Sequence, residues 1–310
     1  MKISIAQSNI WYLTCDEFEY YTRIRKCGFR YIDYNFFTYL GTDDSRYMQI
    51  DWRSQCEKTM NHMAKLGMGS KIAHAPSGEP AAPASTHGLL RRTQRAIECC
   101  GEMGIENLVY HPGGQMGMTH KEYMDFNVNY VRCLIPTLEK HHVNLLLENV
   151  GRWDESFYDH DADEMLELID AVNHPLYHAC LDTGHLSLQD GDQYQTIRQL
   201  GSHLKGLHIQ DNFGSLPVTL CNRAWRQDLH VAPLMGCVDF DEVMRGLLDI
   251  GFDGLFNIES ESPRCSGDSK SAYVRDEKLR YMNLELVEEY YTWIYDVAKH
   301  VLTTYGAYEG

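Results

Sequence analysis

The sequence predicts an α/β protein built as one (β/α)8 TIM barrel, spanning residues 1–310 as a single domain. Three observations carry that prediction. One junction recurs along the chain: a helical pattern, a glycine, an apolar residue, then a short β-rich run. It reads KCGFRYIDYN at 26–35, KLGMGSKIAH at 65–74, EMGIENLVYH at 102–111 and DIGFDGLFNIE at 249–259. Glycine just past a helix is the usual left-handed cap, and near-continuous apolar strands belong in a parallel sheet covered on both faces. Four further runs bring the strand count to eight: KISIAQ at 2–7, VNLLLE at 143–148, LYHACLD at 176–182 and HLKGLHIQ at 203–210. Finally, a chain of 310 residues with no linker-like break in composition suits one barrel.

Helical spacing separates the strands. In 89–103 the apolar set is Leu89, Leu90, Ala96, Ile97, Cys100 and Met103; in 162–172 it is Met165, Leu166, Ile169 and Val172. In 239–250, Asp239 and Glu242 form a start signal resembling a capping box, and Val243, Leu247 and Ile250 face one way. The polar stretch 260–280 reads as the last strand-to-helix loop, leading into a C-terminal helix at about 276–303. A second long irregular stretch, 211–239, belongs with it at the C-terminal mouth, where such loops gather.

Charge excludes some functions. With 28 Lys+Arg against 44 Asp+Glu, the formal net charge is -16, which repels polyanions and predicts no nucleic acid partner. No run of about 18 apolar residues predicts a membrane span. Ten cysteines without regular spacing, and no signal-peptide pattern before the first strand, predict reduced thiols and a cytoplasmic location.

The strand ends carry the chemistry. Seven residues after the capping glycine stand Asn35, His74 and His111, and eight after it stands Glu259. The other strands end at Glu148, Asp182 and His208; His185 follows in DTGH, and Asp228 and His230 lie in the loop after strand 7. Buried carboxylates and imidazoles are costly unless paired or bound to a metal. A rim of them predicts a divalent cation held by Glu148, Asp182, His208 and Glu259, with Mn2+, Zn2+, Mg2+ and Co2+ all compatible with the N/O donor set. Each residue alone is weak evidence: Asp182 could simply cap a helix, and 228–230 could be an ordinary turn. Joint placement at matching offsets is what solvated loops do not produce. Trp11, Tyr12, Phe36, Phe37, Tyr110 and Trp153 stand near strand ends, as walls for a sugar or as ordinary packing. No glycine-rich cradle with a basic residue marks a phosphate site.

Seven motifs together resemble the xylose-isomerase-like barrels, the sugar phosphate isomerases and epimerases whose superfamily also holds endonuclease IV. They are HAP at 74–76, HPGG at 111–114, LEN at 147–149, LDTGH at 181–185, HIQDN at 208–212, DLHVAPLMGCVDF at 228–240 and IES at 258–260. The resemblance implies a single metal on Glu148, Asp182, His208 and Glu259, with Glu148 and Glu259 also the catalytic acid/base pair. It implies substrate contacts from His185, Asp154 and Trp153, beside Arg152. The reaction it implies is isomerisation or epimerisation of a small sugar or sugar-like substrate through a cis-enediolate; homo-oligomers are common among such barrels. Two departures touch the substrate loop: Gly214 stands where the epimerases often carry arginine, and Pro233-Leu234-Met235-Gly236 replaces Pro-Gly-x-Gly.

Endonuclease IV is the rival. All nine positions of its three-zinc cluster are filled: His74, His111, Glu148, Asp182, His185, His208, Asp228, His230 and Glu259. The rim loops, however, read SGEPAAPAST, GGQMGMTHKE, GRWDESFYDHDADE and QDGDQ, with only Arg223 and Arg226 in 211–227, so they offer few cations for a phosphate backbone. Electrostatics therefore favours the isomerase. A third alternative is a barrel that binds metal or sugar without catalysis.

Overall fold

The structure is a computed structural model that describes residues 1–6, 14, 16–76, 86–115, 117–151, 158, 161–214, 228–260 and 283–310. Strands and helices alternate from end to end. They are β1 Lys2–Ile5, α1 Glu17–Lys26, β2 Tyr31–Asn35, α2 Trp52–Lys65, β3 Gly69–His74, α3 Thr86–Met103, β4 Asn107–Tyr110 and α4 His120–His141. Then follow β5 Asn144–Glu148, α5 Ala162–Val172, β6 Tyr177–Asp182, α6 Gln193–Leu200, β7 Leu204–His208, α7 Phe240–Asp249, β8 Leu255–Ile258 and α8 Leu284–Thr304. All eight expected strands are present. Of the helix expected at 276–303, residues 276–282 lie outside the described residues, and α8 is N-capped by the Asn283 side chain.

Local chemistry explains the junctions. Gly28, Gly67, Gly104 and Gly251 all take positive φ, as expected of left-handed caps. The junctions before β5 and β6 make the same turn without glycine, on His142 (φ 55) and Asn173 (φ 50). The start of α7 also matches expectation, Asp239 accepting from the backbone of Asp241 and Glu242. A reciprocal capping box occurs elsewhere, between Thr119 and Glu122 at the start of α4.

The sheet is parallel throughout, in the order β7-β6-β5-β4-β3-β2-β1-β8. Its two ends meet at one bridge, Ile209–Ile258, where Ile209 N donates to Asn257 O (2.7 Å) and Glu259 N to Ile209 O (2.9 Å). The seam of the barrel is thus closed beside two candidate ligands, His208 and Glu259.

The period-2 alternation of strands layers the barrel interior. Two residues below His74, His111, Glu148 and Asp182 stand Ile72, Val109, Leu146 and Cys180, which form a separate buried apolar cluster with Leu255 against it. Two below His208 is Gly206, where a Cβ would come within 2.6 Å of Leu146 Cδ1 and 3.1 Å of Cys180 Sγ. We expect Gly206→Ala to cost about 1–3 kcal/mol by overpacking this plug, read as a lower midpoint in urea. An unchanged midpoint would show that the plug has room. The larger core lies outside the sheet, under the helices.

On one side of the mouth a buried charge fixes a loop. Glu17 of α1 accepts from Tyr21 (2.5 Å), Tyr34 (3.0 Å) and Thr59 (3.2 Å) and pairs with Arg46 (2.6 Å). This clamp holds the segment after β2, which carries Phe37 to the mouth.

Candidate metal centre

His74, Glu148, Asp182 and His208 end their strands and His111 and Glu259 stand one residue past theirs, above interiors lined by aliphatic side chains, while His185 lies in the short helix Thr183–Ser187 and Asp228 and His230 in the loop after β7. The nine rim residues converge as three groups, within each of which one donor atom per residue lies within 4.8 Å of all the others. The groups are His74, His111 and Glu148; Glu148, Asp182, His208 and Glu259; and His185, Asp228 and His230.

Glu148 joins the first two groups and is 1% exposed. Its Oε2 faces His111 Nε2 (3.1 Å) and His74 Nε2 (3.4 Å). Its Oε1 faces His208 Nδ1 (3.2 Å) and His185 Nδ1 (3.5 Å). His208 Nδ1 lies 2.8 Å from Glu259 Oε2. Asp228 Oδ2 is shared by His185 Nε2 and His230 Nε2, each at 3.0 Å.

Asp182 serves two ends. Its Oδ1 caps the short helix Thr183–Ser187 by accepting from His185 N (2.6 Å), and its Oδ2 accepts from Gln210 Nε2 (3.1 Å). Gly184 of DTGH is required here, since a Cβ would meet Gln210 Oε1 at 2.3 Å. His230 is held at φ 45, a left-handed geometry unusual for a side-chain-bearing residue, of the kind that persists where surrounding contacts over-determine it.

These residues fit a cation on an observation independent of residue type. His208 Nδ1 and Glu259 Oε2 are both buried and 2.8 Å apart, yet neither makes a hydrogen bond among the described residues. Protonated His208 pairs with Glu259 as an ion pair; with the imidazole neutral, the two donor atoms converge with no proton between them, an arrangement that suits a cation.

Electrostatics says the same. Burial opposes the charge of Glu148, but the His208 and His111 imidazoles outweigh it and hold its carboxyl well below the usual range. Burial likewise opposes Glu259, which His208 brings down to about 2. Burial raises Asp182 to about 6, reinforced by Glu148 and Glu259 against His185. Burial alone would lower His185, but Asp182 and Asp228 lift it to about 10. His208 and His230 are likewise held well above the usual imidazole value, against burial, by Glu148 and Asp228 respectively. Without a cation, imidazolium protons supply the positive charge that the carboxylates require.

A pH prediction follows. His185, raised from about 6.5 to about 10, contributes stability fully present below pH 6.5 and lost as pH rises toward 10. Glu259, depressed from about 4.5 to about 2, contributes stability present above pH 4.5 and lost as pH falls toward 2. Asp182 runs the other way, its raised carboxyl favouring the fold as pH falls through 6. Metal-free protein should therefore be most stable near pH 4.5–6.5 and lose stability on the alkaline side. Metal should suppress the alkaline loss, because coordination needs the imidazoles unprotonated. Urea titrations at pH 6 and 9, with and without metal, check this; an alkaline limb unaffected by metal would contradict it.

At the mouth one offset-placed residue stays outside the cluster, and two of the aromatics take the packing alternative. Asn35 does not join the cluster; its side chain caps the short helix Phe36–Tyr39 by accepting from Thr38 N. Phe36 and Tyr110 are core residues, 0% and 3% exposed. Phe37 is exposed, its ring 6.0 Å from that of His74. Trp11, Tyr12, Arg152, Trp153, Asp154, Arg223 and Arg226 lie outside the described residues. Leu234, where the resembling epimerases carry glycine, keeps a glycine-like backbone at φ 70. Leu234→Gly is expected to stabilise the protein by about 1 kcal/mol through relief of that conformation, seen as a higher melting temperature. A lower one would mean that the leucine side chain offsets the strain.

Sequence reasoning gave no role to Asp33, Asn149, Gln210 or Asn212, although three of them stand inside quoted motifs. Asn149 Nδ2 donates to Asp182 O (3.0 Å) and Asn149 Oδ1 accepts from Asp182 N (2.6 Å). Gln210 and Asn212 donate to Asp228 Oδ1 at 3.3 and 3.2 Å. The available signal was position: Asn149, Gln210 and Asn212 closely follow the ligands that end β5 and β7, and Asp33 is a charge inside β2.

Comparison with known proteins places this geometry. A model of the xylose isomerase-like TIM barrel family matches residues 21–283. An uncharacterised protein of Methanocaldococcus jannaschii is 23% identical over 228 residues, covering 70% of this chain and 73% of that protein. An inosose dehydratase of Bacillus velezensis is 26% identical over 135 residues, covering 41% of this chain and only 44% of its own length. Among solved structures, D-psicose 3-epimerase with D-tagatose from Clostridium cellulolyticum H10 aligns over 97% of this chain and 99% of its own, with TM-score 0.69 and 18% identity. The IOLI protein with a binding zinc atom aligns over 98% and 99%, with TM-score 0.73 and 17% identity. At these identities the structural matches establish the fold. Among the described residues no helix is long and apolar enough to cross a membrane.

Proposed function

The chain belongs to the xylose isomerase-like TIM barrel family, and on that premise we propose that it is a divalent-metal-dependent isomerase or epimerase of a sugar or sugar-like compound. One observation carries the reading: Glu148 and Glu259, two carboxylates held ionised, converge on His208 Nδ1 beside Asp182 at the mouth of the barrel. The zinc in the IOLI structure and the ketohexose in the epimerase structure support it from related folds.

Glu148, Asp182, His208 and Glu259 would hold the divalent cation, which when bound would supply Lewis-acid polarisation of a substrate carbonyl. The chain's own groups do the rest. Glu148 and Glu259 are bases at neutral pH, so one takes the proton from the carbon beside the carbonyl, leaving an enediolate. The other glutamate, itself ionised, takes a proton from a substrate hydroxyl and returns it from the opposite face, which inverts that carbon; return to the adjacent carbon isomerises an aldose and a ketose. His185, within reach of both Glu148 and Asp228, is the residue we assign to a substrate hydroxyl. Exposed Phe37 offers one apolar wall. Asp154 and Trp153 complete the proposed substrate contacts. Mn2+, Zn2+, Mg2+ and Co2+ all suit the mixed N/O set.

A second reading, a phosphodiesterase using three metals, is favoured by the nine donors sorting into three contiguous groups. The net charge of -16 opposes a nucleic acid substrate. One experiment separates the two: elemental analysis of protein purified without added metal, followed by incubation with ketoses in heavy water. One ion per chain with deuterium entering a sugar C–H supports the isomerase. About three zinc ions with cleavage of abasic DNA supports the nuclease. A metal without either activity leaves a binding barrel.

A further inference from the structure

Four rim histidines have a partner on the nitrogen turned away from their donor group, and three of them share one pattern. His74, His185 and His230 put Nδ1 against the backbone carbonyls of Ala75 (3.0 Å), Asn149 (2.9 Å) and Glu259 (3.3 Å). Their Nε2 atoms face Glu148 or Asp228. His208 is reversed. Its Nδ1 faces Glu148 and Glu259, and its Nε2 lies 3.2 Å from a carboxylate, Asp33 Oδ2.

Asp33 is on β2, which contributes no ligand to the group around His208. It is 2% exposed. Its Oδ2 also accepts from Asn257 Nδ2 (2.9 Å), and Asn257 Oδ1 accepts from Ser4 Oγ (2.8 Å). Ser4 on β1, Asn257 on β8, Asp33 on β2 and His208 on β7 thus form one polar chain that runs from the rim into the barrel interior. Burying a carboxylate is expensive unless donors meet it, and Asp33 Oδ2 meets two, His208 Nε2 and Asn257 Nδ2.

We infer that Asp33 is a positioning residue that dictates which nitrogen of His208 carries the proton. The inference rests on the metal reading of the site. A carboxylate at Nε2 requires N–H there, which leaves the Nδ1 lone pair directed between Glu148 and Glu259. The negative charge behind the ring also makes it a stronger ligand. A backbone carbonyl could orient the ring but would lend no full charge. The Ser4–Asn257 pair holds Asp33 from the far side, so the preference is built into four strands.

The test is metal titration of chelator-stripped protein with Zn2+, using wild type, Asp33→Asn and Asp33→Ala. Removing such an outer partner is expected to weaken Zn2+ binding about 10–100-fold in Asp33→Ala. Asp33→Asn, which keeps an acceptor and loses the charge, should fall between. Nitrogen-15 NMR of histidine-labelled, Zn2+-loaded wild type reads the tautomer directly, with the proton expected on Nε2 of His208. A proton on Nδ1, or Asp33→Ala binding Zn2+ within twofold of wild type, overturns the inference. The NMR arm decides alone if the variants do not fold. A wild type that takes up no ion overturns the metal reading and this inference together, whereas wild-type binding matched by Asp33→Ala overturns the inference only.

Discussion

Glu148→Gln is expected to abolish turnover, by about 10²–10⁴-fold for loss of the acid/base group alone, and to strip metal from the centre as well. The reason lies in its two oxygens. Oε2 serves His111 and His74, Oε1 serves His208 and His185, and the residue is 1% exposed. A glutamine keeps the shape but must turn an NH2 group toward one of these sets, setting a donor where an acceptor is needed, and it removes the charge that both sets face. His208 and His74, which that charge raises against the effect of burial, would lose this support. The checks are metal content by elemental analysis and proton exchange on the true substrate. Near-normal activity of the variant would sink the assignment of Glu148. Glu259→Gln should cost turnover with a smaller loss of metal, because Glu259 belongs to one donor group and Glu148 to two.

Metal removal should loosen the barrel at one identifiable place. Among the described residues β7 and β8 share no strand ladder and are hydrogen-bonded at the bridge Ile209–Ile258, which His208 and Glu259 flank from opposite sides. A cation bound by both spans the seam. An ion present at about 1,000 times its dissociation constant stabilises the fold by about 4 kcal/mol. For a chain of this size that corresponds to a fall in melting temperature of roughly 5–10 °C on chelation. The fall should come with faster hydrogen exchange at the Ile209 and Glu259 amides, both donors in the seam. Equal acceleration across β3, β4 and β5 would refute the seam account, since those strands are tied by full ladders.

Much of this was legible in the sequence because the signals are local. The glycine junctions mark helix ends through backbone conformation, and the apolar runs mark strands through burial. The constant offset from glycine to strand end put His74 and His111 at one height, and the structure brings their Nε2 atoms to 3.3 Å. The same offset failed at Asn35, where a side chain that can cap a helix found one immediately after the strand. Two further junctions escaped the glycine rule because His142 and Asn173 adopt the left-handed turn themselves.

The sequence by itself determined the alternation of strands and helices, the closure into eight units and the identity of the rim donors, since each depends on chain periodicity and residue chemistry. Only the tertiary structure decided which donors lie close enough to share an ion: Glu148 sits in two groups because its oxygens point to different neighbours, and Asp228 reaches His185 across 43 positions of chain. It alone revealed Asp33, a charge inside β2 whose partner His208 lies 175 positions away. Pairings of that kind are fixed by which strands meet across the barrel interior, and strand periodicity tells a residue which face it occupies without telling it what stands opposite.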